Sequence, residues 1–531
     1  MDLLMYNGII HTMDSQNTVA AAIGIKDGKI AFIGTDEEAE RMECTNRVDL
    51  QGKCVLPGFT DSHIHTLTYA WYENCVKLHS CTSISEVKQR AEEFMEGRSF
   101  DGGKWIVGRG WNHHKFDRPD YLTKQDLDAI STEIPIAFLR VCGHVCAVNS
   151  KALELICQLP QAQPLMDDIH KDTGVLMENA ARLFLQAIPK FQKKELKELI
   201  SYAAQKLNAC GITSIHSDDL TTLPTVSRYE MLDAYRELAA EGKLDVRVYS
   251  LCSFGGDELK QYVADGYRTG NGDSFFKIGP VKIVMDGSLG GKTAAVTEPY
   301  AGTEDECGVT YFTTEELTEL VSYCRKNGLD VTVHTIGDRA LEMAVEAISR
   351  SNQIHRATRR NGVLYVQIAS EKAIARMAEE NIQAFVQPVF AGSDMDFVES
   401  VVSHPQDKKL YAWKSMADAG VHVSGSASAP VEPFDVLQNI QYAVTREKLT
   451  GGPENGWIPE ERLSVEEAVR LFTTEGAYAS YEEDSKGSLE CGKLADMTVL
   501  SQDIFAADVH SIKDIQIEET LVGGRSVYKR G

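Results

Sequence analysis

The sequence predicts an α/β fold, a (β/α)8 TIM-type barrel with a small β-sandwich built from both termini, and three observations predict it. Across roughly 400 central residues short β-runs alternate with amphipathic helical patterns, the cadence of parallel strands joined by crossover helices. The two ends lack that cadence and read as short strands punctuated by turns. No glycine fingerprint for a dinucleotide follows any strand, and the length suits a closed barrel better than an open sheet.

In chain order, residues 3–10, 20–25, 29–34 and 48–55 are opening strands, separated by Lys26-Asp27-Gly28 and Gly52-Lys53. Residues 58–65 form an apolar strand that ends in His63 and His65. Residues from 67 to about 180 break the cadence and read as an insertion, which contains Gly108-Arg109-Gly110-Trp111-Asn112 and Cys142-Gly143-His144. The barrel units then resume. Residues 196–207 carry apolar side chains at helical spacing and stop near Gly211, and 212–216 is the next strand. Strands follow at 246–251 and 281–285. Thr313 and Glu316 form a capping box, the helix ends at Gly328, and 329–334 is a β-run before Gly337 and a new helix from Arg339. Strands at 363–368, 382–386 and 420–424 complete the set, and 487–489, 495–500 and 515–521 return to the β-style of the start. The expected domains are a composite sandwich of 1–58 with 485–531, and a barrel of 59–484 carrying the insertion at about 67–180.

With 531 residues, 43% hydrophobic and 25% charged, the chain is too long and too apolar for a disordered tail. Lys+Arg 54 against Asp+Glu 78 gives a net charge of −24, and no basic run stands out, which argues against nucleic acid or an anionic membrane as partner. The same charge disfavours a strongly anionic substrate unless local pocket charge reverses it. No apolar run reaches the roughly 18 residues of a transmembrane helix, and Met1-Asp2-Leu3-Leu4-Met5-Tyr6 lacks a basic flank, so the expected location is cytoplasmic. Twelve cysteines scattered from Cys44 to Cys491 without paired spacing read as free thiols. A small-molecule substrate and a homodimer are the default expectations for partners.

Three places carry chemistry. His63 and His65, at i and i+2 on a strand, share one face, where two imidazoles can hold a single metal ion. His334 ends another predicted strand, at the edge where barrels place their chemistry. Lys282 lies within an apolar strand, and a buried ammonium must be paired, neutral or chemically modified. His113 and His114 read as a solvated loop, and Cys142-x-His144-x-Cys146 lacks a further ligand to complete a tetrahedral set.

These residues resemble the amidohydrolase superfamily in its YtcJ-like branch, the amidohydrolase 3 type. Pro57-Gly58-Phe59-x-Asp61-x-His63-x-His65 resembles its first metal motif and Val281-Lys282-x-x-x-Asp286-Gly287-Ser288-Leu289-Gly290 its lysine strand. His334-Thr335-Ile336-Gly337-Asp338-Arg339-Ala340 resembles its next histidine motif. The resemblance extends through Gly143-His144, residues 148–153 and 173–180 to Gly492-Lys493-x-Ala495-Asp496.

The resemblance implies a metal-dependent hydrolase of amide-type or formamide-like C–N bonds, with one or two divalent ions, zinc first among them. His63 and His65 would hold the first ion, His334 would help hold a second, and a carboxylated Lys282 would bridge them. Asn112, His144, Asp286 and Asp338 are the implied substrate-binding residues.

Two positions depart from the family. Tyr365 stands where a metal histidine belongs, and Ser428, in Ser426-Ala427-Ser428-Ala429-Pro430-Val431, replaces the aspartate that binds metal and shuttles the proton. A neutral serine supplies neither the base nor the charge. Three readings stay open: a metal site in which His144 or His216 handles the proton, a non-catalytic binding relative, or a different reaction using Tyr365. The catalytic candidates are thus His144, Tyr365 and Ser428. Asp394, in Gly392-Ser393-Asp394, offers a remoter substitute for the lost carboxylate.

Overall fold

The computed structural model describes the chain apart from residues 220–222, 224–225, 254 and 355–358. Eight parallel strands form the barrel: β1 (Phe59–Ile64), β2 (Ile212–Ser217), β3 (Arg247–Cys252), β4 (Phe276–Val284), β5 (Val331–Thr335), β6 (Gly362–Tyr365), β7 (Gln383–Val386) and β8 (Val423–Gly425). They are hydrogen-bonded side by side in chain order. Among the described residues no ladder joins β8 to β1. Where β1 ends and just past β8, Ser428 N donates to His63 O at 2.9 Å and His65 N donates to Ala429 O at 2.8 Å, so main-chain bonds close the ring at its carboxyl rim.

Every residue of β1, β2, β3, β6, β7 and β8 is buried, as strands covered on both faces must be, which is why they read as apolar runs without alternation. Gly58, at the entry to β1, is forced by close approach, since a Cβ there would lie 2.3 Å from the Thr213 side chain. The Thr313 capping box is present and opens the helix Thr314–Lys326. The helix expected from Arg339 starts one residue earlier, as Asp338–Ile354.

The two chain ends build two sheets. One contains Leu3–Tyr6, Ala22–Lys26, Lys29–Gly34 and Asn46–Asp49. The other mixes both ends: Cys54–Pro57 pairs antiparallel with Met497–Leu500, flanked by Ile9–His11 on one side and Ile517–Val522 on the other. Met5, Ile23, Val55, Met497 and Leu521 meet in one apolar core between them. The runs expected at 3–10 and 48–55 are each two strands, one per sheet. Left-handed Asn7 (φ 56°) and Gln51 (φ 55°) turn the chain from one sheet to the other.

Chain contacts divide the protein into two units, one of Met1–Thr66, Ile200–Leu220 and Tyr235–Gly531, the other of Leu67–Leu199 with Thr221–Ala234. The second unit is itself a mixed six-stranded sheet, from Val76–Lys77 through Ile106–Trp111, Ile136–Arg140, Val145–Val148 and Val175–Met177 to Ile169–His170. Ile136 and Phe138 enter one apolar cluster while Ala137 and Leu139 enter another, so the period-two alternation feeds a core on each face. All twelve cysteines are free. Among the described residues no helix is long and apolar enough to cross a membrane.

Candidate functional site

β1 ends in His63 and His65, whose rings lie 5.0 Å apart. Just past β2, Asp218 N donates to Ile64 O at 2.7 Å, which ties the ends of the two strands together and brings the Asp218 carboxylate to the histidines. Ligand-type atoms of His63, His65 and Asp218 all lie within 4.8 Å of one another, and all three residues are buried. From β4, Lys282 Nζ donates to Asp218 Oδ2 at 2.7 Å and sits 3.2 Å from His63 Nε2. Ser253 Oγ donates to Asp218 Oδ1 at 3.1 Å, and His65 Nδ1 lies 2.7 Å from the Asp218 carbonyl oxygen.

Burial, reinforced by Lys282, holds His63 well below the ordinary histidine range and pulls His65 down to about 4. Burial pushes the Asp218 carboxyl up, but Lys282 and His65 outweigh it and leave it below its usual value. Burial likewise pulls Lys282 down, and Asp218 more than restores it. Two neutral imidazoles therefore face an ionised pair. Asp61 lies behind them and accepts from His63 N and Ala427 N at 3.0 and 3.2 Å; burial still raises it to about 7.

β5, β6 and β8 complete this end of the barrel. His334 Nδ1 lies 3.1 Å from Asp286 Oδ1, and the same carboxylate accepts from the N–H groups of Ala295, Ile336 and Gly337. A Cβ on Gly337 would lie 2.0 Å from Ala295 O, so this turn requires glycine. The Tyr365 ring packs 4.7 Å from His334 and 5.9 Å from His63, and its hydroxyl is 3.0 Å from Ser428 Oγ. Tyr365 (φ 77°), Val366 (φ 49°) and Ser428 (φ 55°) are all left-handed, a costly conformation for side chains of this size and a mark of strain gathered at a site.

The structure thus gathers His63, His65, Lys282, His334, Tyr365 and Ser428 at one end of the barrel. Asp338 accepts from Thr297 N and Oγ1 and from Lys408 Nζ. With Asp286 likewise occupied, both carboxylates are engaged within the chain. His216 sits inside β2 against Tyr249 and Phe385; burial and Lys486 pull it down to about 3, and its Nε2 has no hydrogen-bond partner. Asp394 accepts from Gln367 Nε2 and Tyr411 Oη. Asn112 and His144 belong to the second unit. There Asn112 Oδ1 accepts from Arg140 at 3.2 Å, and exposed His144 lies 3.2 Å from Glu178. The rings of His113 and His114 lie 3.9 Å apart, tilted to each other, in the short turn His113–Lys115.

Sequence reasoning missed Asp218. Its only signal is position, two residues past His216 where β2 ends, as His65 follows His63 where β1 ends. The donor set of His63, His65 and Asp218 fits a divalent ion: imidazoles held neutral keep a free nitrogen lone pair, and the carboxylate is held ionised. His63 Nδ1 is buried without a hydrogen-bond partner, an unmet polar atom inside the cluster.

The family model described as "Amidohydrolase family" matches residues 47–528. Putative amidohydrolase YtcJ of Bacillus subtilis (strain 168) is 32% identical, over 100% of each chain. N-substituted formamide deformylase of Arthrobacter pascens is 26% identical, over 100% of this chain and 98% of its own. Among solved structures, an uncharacterized metal-dependent hydrolase from Pyrococcus furiosus matches with a TM-score of 0.80 and 27% identity, over 95% of this chain and 99% of that one.

Proposed function

The chain belongs to the amidohydrolase family, and from that premise we propose that it is a hydrolase using one divalent ion, zinc, to cleave an amide or formamide-like C–N bond of a small molecule. The observation that carries the reading is the convergence of His63, His65 and Asp218 within 4.8 Å. The formamide class rests on the name of the Arthrobacter relative. Zinc rests on the donor types, imidazole nitrogen with carboxylate oxygen.

A divalent ion at these residues supplies Lewis acidity, polarising a carbonyl and making water acidic enough to ionise near neutrality. Without an ion the Lys282 ammonium neutralises Asp218; with an ion bound, its charge would take over that role, and a Lys282 released from the pair and carboxylated would become an anionic oxygen donor in place of a competing cation. Asp218, held ionised chiefly by Lys282 and steadied by the hydrogen bond from Ser253, would be the carboxylate donor beside the two imidazoles. Asp286 fixes the His334 ring through the contact at its Nδ1. The Tyr365 hydroxyl, held by Ser428, provides the hydrogen-bond donor for charge that develops on the scissile group. A tyrosine and a serine in place of an imidazole and a carboxylate leave His334 without co-ligands for a second ion.

The test is elemental analysis of protein purified without chelator, followed by an N-substituted formamide and amide panel. The expected result is about one zinc per chain, lost in His63→Ala, with turnover that Tyr365→Phe lowers about 10²-fold in kcat. Less than about a tenth of an equivalent after zinc and bicarbonate are added would refute the metal site. A loaded enzyme silent across the panel would refute the bond class alone.

A further inference from the structure

The second unit contains a cavity of about 550 Å3 for which the chemistry above has no use. Arg109, Arg140 and Arg182 stand in its wall and no aspartate or glutamate does, in a chain whose net charge is −24. Trp71 and Leu185, both partly exposed, are among its apolar lining side chains.

Neutral groups hold two of the arginines in place. The Arg109 guanidinium lies 4.0 Å over the Tyr72 ring, and Arg140 donates to Asn112 Oδ1 and to His113 Nδ1, each at 3.2 Å. Arg182 is exposed. Among the described residues none of the three has a carboxylate within ion-pair distance.

Three guanidiniums lining one cavity with no carboxylate among its lining residues make the local potential positive, and an anion bound there is favoured by it. A guanidinium stacked on a ring leaves its edge N–H groups free for the paired hydrogen bonds that carboxylate and phosphate accept. The thiol of Cys142, also in the wall, reports the same field: burial pushes it up, but the His144 N–H and Arg140 outweigh that and leave it below the ordinary thiol range. At long range a chain of −24 repels anions, so the local cluster reverses the overall charge where it matters. The volume falls within the range of sites for small molecules.

We propose that this cavity is a binding site for a small organic anion, a carboxylate or phosphate head on the arginines with an apolar body against Trp71 and Leu185. Calorimetric titration of the full chain with benzoate, phenyl phosphate and benzamide, a neutral match to benzoate in shape, tests it. One of the two acids binds at one per chain and at least about tenfold tighter than benzamide, and which one does so identifies the head group. R109Q/R182Q weakens that acid about tenfold or more. R182E, at an exposed position, weakens it too. His63→Ala leaves it unchanged, which separates this site from the barrel. Equal binding of benzamide, indifference to the arginine changes, loss of binding in His63→Ala, or no binding of either acid at tens of millimolar would each overturn the proposal.

Discussion

Asp218 and Lys282 have side chains 0% and 7% exposed and meet at 2.7 Å, so each is the main compensation for the other's buried charge. Removing one partner strands the other. Asp218→Leu alone should lower unfolding free energy by about 3–5 kcal/mol, and so should Lys282→Met. The double change should cost much less than their sum, because no charge is then left buried. Chemical denaturation of metal-free protein checks this; additive losses would show that the two side chains do not act as a pair. Tyr365 and Ser428 make the complementary case. Tyr365→His with Ser428→Asp restores an imidazole and a carboxylate beside His334, and we expect metal content to rise from about one ion per chain towards two. Unchanged stoichiometry in folded protein would mean that something other than these two residues limits the second site.

At the scale of the element, the helix Thr314–Lys326 depends on its start. Thr313 Oγ1 accepts from Glu316 N at 3.2 Å, and Glu316 Oε2 accepts from Thr313 N at 2.8 Å. Thr313→Ala should therefore cost about 1 kcal/mol, and Thr313→Ser nearly nothing, measured by urea unfolding. This box was readable because it is local, and so were the barrel strands, whose burial on both faces leaves continuous apolar runs between helices. The second unit was legible only as a break in cadence. Its strands are as short as the two residues of Val76–Lys77 and mix parallel with antiparallel partners, so no single period runs through them. The site divides in the same way. His63 and His65 carry a spacing and Lys282 a contradiction with its apolar strand, both visible in one dimension. Asp218 is one aspartate after a strand, and only the bond from its N–H to Ile64 O gives it meaning.

Across the whole molecule, the end of the barrel opposite the histidines is fastened by ions. Arg247 of β3 pairs with Asp496 through two bonds of 2.6 and 2.9 Å, and Thr498 Oγ1 donates to Gly211 O, joining the barrel to the sandwich. Beside this joint Glu482, on the segment that leads from the barrel to the last strands, pairs with Lys277 of β4 at 2.6 Å and with Lys486 at 2.7 Å, and Lys486 donates to Ser214 of β2. Burial pushes the Glu482 carboxyl up, yet Lys486 and Lys277 outweigh it and hold it down at about 2, against 4.5 for a free glutamate. A carboxyl depressed by folding stabilises the native state fully above its unfolded pKa and loses that contribution as pH falls through the folded one. Glu482 should therefore contribute on the order of 3 kcal/mol, lost as pH falls from about 4.5 to about 2. Glu482→Gln should lower stability at pH 7 and flatten the fall over that window, so that mutant and parent converge towards pH 2. Unfolding free energies at a series of pH values settle it: parallel curves displaced by a constant amount would mean that Glu482 stabilises by packing rather than by charge, and that the lysines find their counterions elsewhere.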